Sequence, residues 1–222
     1  MVKQEKVTDG IRLTAPDYIL GLDMSLEHTG YCLYNVKTGE KLQGLIEPGG
    51  KKGVERLKII RERVMELARF GQLGPVVKPT GKRQDGITFF EAPMRISCLV
   101  MIEHYAFGAR GQAMISLGEL GGVIRLALHE AEIPYIEVPP TVAKKFVTGK
   151  GNCNKNLVLL EMYKRFGEDL TDDNVADATG LVYLGRAITD TYDKPLLSFQ
   201  AAVVADVVKG YFKEHPANGA SA

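Results

Sequence analysis

From residue 18 the chain reads as short apolar blocks divided by polar turns. "YILGLD" (18–23) is an apolar run ending in an acid, and "TGYCLYNV" (29–36) follows after "MSLEH", which predicts two antiparallel strands joined by a short turn. A third strand over 40–46 completes a meander. Between 53 and 70, Val54, Leu57, Ile60, Val64, Leu67 and Ala68 recur at helical spacing with charges between them, the pattern of an amphipathic helix. Residues 71–86 carry turn formers and basic charge and read as a connection. "ITFFEAP" (87–93) is again a buried-type strand ending in an acid, Glu91, with a proline two residues on to stop it.

A long helix is predicted over 111–132, in which Gly118, Gly121 and Gly122 are weakening unless they admit a close neighbour. "IPYIEVPP" (133–140) reads as a strand, 141–147 as a short helix and "TGKGNCNK" (148–155) as a loop. Helices over 154–166 and 174–188 follow, then another within "PLLSFQAAVVADVVKGYF" (195–212), with "HPANGASA" (215–222) as a disordered end. The order β-β-β-α-β-α-β-α-α predicts an α/β fold with a mixed sheet and helices on its faces.

Length and composition add boundaries. At 222 residues, 45% apolar and 25% charged, the chain fits one globular domain. No apolar run approaches the roughly 20 residues that span a bilayer, and residues 1–17 lack the apolar core of a secretory signal, so a cytoplasmic protein is expected, in the host cytoplasm if the chain is viral. The three cysteines, Cys32, Cys98 and Cys153, have no CxxC spacing, which points away from a disulfide framework or structural zinc. Net charge is +1, but between 144 and 165 six basic residues face one acid, a local excess suited either to a solvated helix face or to phosphate. "TGKGNCNK" lacks the spacing of a phosphate-binding P-loop.

Three acids stand out. Asp23 and Glu91 end apolar strands, where open α/β sheets place their ligands. Asp177 sits in a helix apolar nearly all round, so it is buried and needs a cation from elsewhere, because the nearest basic residue in that helix is Arg186. Carboxylates that share a site repel one another unless a divalent ion neutralises them. At roughly 100° per residue, Asn174 lies about 60° and Asp173 about 40° from Asp177, on its face, whereas Asp172 reads with Thr171 as an N-cap or first-turn acid that stabilises the helix start.

These segments resemble the RuvC-like Holliday junction resolvases of the RNase H-like superfamily, particularly phage-type members. The resemblance rests on "ILGLDMSLEHTGYCLY", "FFEAPM", "SLGELGGVIRLALHEAEIPYIEVPPTVAKKFVTGKGNCNK" and "NVADATGL", in the family's order. It implies an RNase H-like fold with a five-stranded mixed sheet, three strands antiparallel and then parallel ones, in residues 1–190, with 191–222 as a C-terminal extension. It also implies a structure-selective endonuclease that nicks four-way or other branched DNA symmetrically as a homodimer, with two Mg²⁺ ions (Mn²⁺ as a substitute) and no small-molecule substrate.

The family's strand-end acids fall on Asp23 and Glu91, its last-helix acid on Asp177, and its motif lysines on Lys144 and Lys155, the latter near the scissile phosphate. Metal ligation is expected from Asp23, Glu91 and Asp177 with Asn174 or Asp173. DNA contacts are expected from Lys144, Lys145, Lys150 and Lys155, with Met94, Arg95 and Arg110 after Glu91. Two positions depart from the family: Asn174 replaces a second acid, and Met94 stands where cellular members have an aromatic wedge, with Tyr105 and Phe107 as rivals. Asn174 keeps open a junction binder without catalysis. The first hairpin also resembles that of actin-like ATPases and sugar kinases, though those need two such domains.

Overall fold

The computed structural model describes residue 13 and residues 15–70, 79–82, 88–90, 97–104 and 112–214. Strands β1 (Tyr18–Asp23), β2 (Thr29–Asn35) and β3 (Lys41–Ile46) form the expected antiparallel meander. The β2–β3 turn is closed by Asn35, whose Oδ1 accepts from the backbone N–H groups of Lys37 at 2.9 Å and Thr38 at 3.1 Å. Helix α1 (Gly53–Ala68) follows, then a separate two-stranded ribbon of β4 (Pro79–Lys82) and β5 (Thr88–Phe90).

The fourth strand of the main sheet is β6 (Cys98–Glu103), which runs parallel to β1; β7 (Tyr135–Val138) runs parallel to β6 after helix α2 (Gln112–Glu130). The sheet order is β3-β2-β1-β6-β7, the mixed five-stranded arrangement expected. The expectation that "ITFFE" supplies the fourth strand is corrected: its strand residues pair with β4 instead. A central parallel strand is covered on both faces and therefore needs a continuous apolar run, which "CLVMI" provides.

Strand alternation sorts these residues into two cores. Leu20, Leu22, Val100 and Ile102 pack with Ile60 and Val64 of α1 and with Leu120 and Ile124 of α2. Ile19 and Met101 face the other way, onto α3 (Pro140–Thr148), α5 (Asp173–Ile188) and α6 (Ser198–Glu214), where Phe146, Leu181, Leu184 and Val203 are buried. Between α3 and α5, α4 (Lys155–Glu161) runs on into a single π-helical turn, Met162–Phe166, that stops at Gly167 with φ +76°. Of the α2 glycines, Gly118 and Gly122 make no close approach, since a Cβ on either would meet open space.

Candidate active site

Strand parity places the first two site carboxylates. Asp23 shares the parity of Ile19, and Glu103 that of Leu99 and Met101, so both project from the α5 face at the carboxyl ends of adjacent parallel strands, one residue beyond the paired Leu22 and Ile102. Helix α5 lies directly on this face because two sheet positions have no side chain. A Cβ on Gly21 would lie 2.0 Å from Ala178 O, and one on Gly30 2.2 Å from Asn174 O. That contact seats Asp177 over the end of β1.

Burial and mutual repulsion dominate the electrostatics. Asp23 is pushed up to about 7, by burial first and then by Asp177, with Lys144 and Lys155 opposing and Asp172 adding a smaller repulsion. Glu103 is pushed up to about 8 by burial and by the charges of Asp23 and Asp177, against Lys144. Asp177 is raised by burial, and Lys144 and Lys155 draw it back. The cation that Asp177 requires thus comes in part from α3 and α4. Arg186 is turned to the far end of α5, where its guanidinium stacks over Tyr34 at 4.5 Å and donates to Asp193 Oδ1 at 3.0 Å.

These shifts set a pH dependence. Carboxylates whose folded-state pKa is raised hold protons more tightly folded than unfolded, so their contribution is complete below about pH 4 and is lost as pH rises through about 7 to 8. Thermal melts in chelator are expected to show Tm falling between about pH 5 and 8, and Asp177→Asn to flatten the fall; a Tm that rises over this range would contradict the cluster.

Glu103 is the residue that sequence reasoning missed. Its signal was an apolar run ending in an acid, the rule that selected Glu91, applied to "CLVMIE". Glu91 lies outside the described residues, as do Met94, Arg95 and Arg110, and the strand-end position beside Asp23 belongs to Glu103. Asp172 caps α5, accepting from Val175 N at 3.0 Å, as its spacing predicts. Asn174 sits in the first turn with its backbone against Gly30, and Asp173 is ion-paired with Lys155. Lys145 is exposed on α3, and Lys150 borders a groove with Asn152, Asn156 and Leu160.

Among the described residues, no three histidine, cysteine, aspartate or glutamate side chains converge closely enough to enclose a metal as they stand. The donor chemistry still fits a hard divalent cation. Asp177 raises the proton affinity of Asp23 and of Glu103, Asp23 raises that of Glu103 further, and Glu103 Oε2 is buried with no hydrogen-bond partner among the described residues.

A mixed sheet with carboxylates at the ends of two neighbouring strands and a third on the helix laid across them defines an RNase H-like domain. No family model matches the chain. It is 37% identical over 169 residues to the crossover junction endodeoxyribonuclease RuvC of Chlamydia trachomatis serovar L2, covering 74% of this chain and 88% of that protein. The chain belongs to the RuvC family. It is also 35% identical over 89 residues to RuvC of Carboxydothermus hydrogenoformans, spanning 56% of that relative. Thermus thermophilus RuvC, solved with a Holliday junction substrate, shares the fold with a TM-score of 0.54 and 19% identity, over 78% of this chain and 96% of that one. No described helix is long and apolar enough to cross a membrane.

Proposed function

We propose that this protein is a metal-dependent endonuclease that nicks four-way DNA junctions, acting as a homodimer whose twofold matches that of the junction. The observation that carries the reading is the placement of Asp23 and Glu103 at the ends of adjacent parallel strands with Asp177 of α5 laid over them, within the influence of Lys144 and Lys155. Asp23, Glu103 and Asp177 would hold the metal, with Asn174 offering a neutral amide oxygen. If bound there, divalent ions of the Mg²⁺ class would supply a water of lowered pKa and neutralise charge on the leaving 3′ oxygen, and two such ions would suit phosphodiester hydrolysis. Because Asp23, Glu103 and Asp177 hold their protons more tightly than free carboxylates, a cation entering the site would displace protons from them. Lys144 and Lys155 orient the phosphate from the α3 and α4 side, and the packed α5 face limits water.

With Glu103 as the strand-end acid, the position three residues beyond it is Ala106 and Phe107 follows, which moves the proposed base-step wedge from Met94 to Phe107. The deciding experiment incubates the protein with a four-way junction and a matched duplex in Mg²⁺. Paired nicks in the junction alone support the reading; tight binding without product would make the chain an inert binder.

Junction affinity is expected to fall steeply between roughly 50 and 200 mM salt, and Lys145→Ala or Lys150→Ala to reduce the slope of log K against log salt by about 1 each. An affinity indifferent to salt would rule out a phosphate-dominated interface.

A further inference from the structure

The geometry points to Asp173 as a positioning residue that acts through Lys155 rather than as a metal ligand, an assignment that rests on the nuclease reading above. Asp173 Oδ2 accepts from Lys155 Nζ. Lys155 opens α4, where the Asn154 side chain accepts from Leu157 N at 2.9 Å, so the main chain that carries the lysine is fixed by a cap. Its charge also acts on both Asp23 and Asp177.

The polar residues at the start of α5 therefore divide their tasks. Asp172 caps the helix, Asp173 holds the lysine, and the neutral Asn174 lies over Gly30. Held by Asp173, the flexible stem of Lys155 has fewer conformations open to it, and less of its rotamer freedom remains to be lost when DNA binds. An incoming phosphate accepts the same kind of charge-assisted hydrogen bond and takes the ammonium over. The Lys155 side chain is 68% exposed and that of Asp173 31%, so the pair adds little to stability and its loss leaves the fold intact.

The test is a double-mutant cycle on single-turnover nicking at saturating junction. Asp173→Asn alone is expected to slow nicking roughly tenfold and to add nothing in a Lys155→Ala background. An equal loss in both backgrounds overturns the proposal, because Asp173 would then act on the cluster directly. A second measurement needs no cleavage: acylation of the full-length protein with a succinimidyl ester, read by mass spectrometry. Asp173→Asn is expected to raise labelling of Lys155 several-fold and leave that of Lys164 unchanged. Unchanged labelling of Lys155 overturns the proposal even if the wild-type protein nicks junctions. Failure of the wild-type protein to nick would count against the nuclease reading instead, and the labelling would still decide this one.

Discussion

Glu103→Gln and Asp177→Asn will each lower single-turnover nicking of a four-way junction by roughly 10³-fold, while junction binding measured in chelator is retained or tightened. Both amides are close in shape to the acids they replace, so the loss reads out charge and metal affinity. Binding persists because the phosphate-facing lysines are untouched and no repelling charge is added. The pair Glu91→Gln and Glu103→Gln separates the two assignments of the strand-end acid, and the loss is expected to follow Glu103. Full activity in Asp177→Asn would remove the metal-site assignment altogether.

Gly21→Ala is expected to destabilise the protein by about 3 kcal/mol, a drop in Tm of roughly 6–12 °C for a chain of this size. The added Cβ would meet Ala178 O at 2.0 Å, and a helix carbonyl cannot rotate aside as a flexible side chain would. Relief requires α5 to lift from β1, which also withdraws Asp177 from Asp23, so nicking is expected to fall even below the melting temperature. Gly118→Ala is the control. It adds a methyl in open space within α2, where alanine is the better helix former, and should leave Tm unchanged or raise it by a degree or more. Equal Tm values for Gly21→Ala and wild type would show that α5 does not rest on the β1 backbone.

Much of the site was legible in one dimension. Asp23 declared itself as the polar end of an apolar strand, and Asp177 as the one carboxylate beyond the first turn of a helix that is apolar nearly all round. Asp172 was readable as a cap because capping is local, spanning three residues from its Oδ1 to Val175 N. The basic run over 144–155 was visible as charge, although which of its lysines face the carboxylates was not.

What sequence alone determined is the set of residues whose meaning lies within a few positions of themselves: the meander, the buried α5, its cap, and two of three clustered acids. Tertiary structure decided the rest. Besides "YILGLD", two apolar runs end in an acid, "TFFE" and "CLVMIE", and local pattern cannot rank them; only the pairing of β6 with β1 across a long crossover makes Glu103 the neighbour of Asp23. Likewise Gly21 and Gly30 read as ordinary strand glycines until α5 is laid across them, and the ion pair of Asp173 appears only when Lys155, eighteen residues earlier, is brought to its side. The physical reason is common to all three: a hydrogen-bonded strand, a backbone contact and an ion pair each need a partner from a distant part of the chain, and that partner is chosen by the packing of the whole fold.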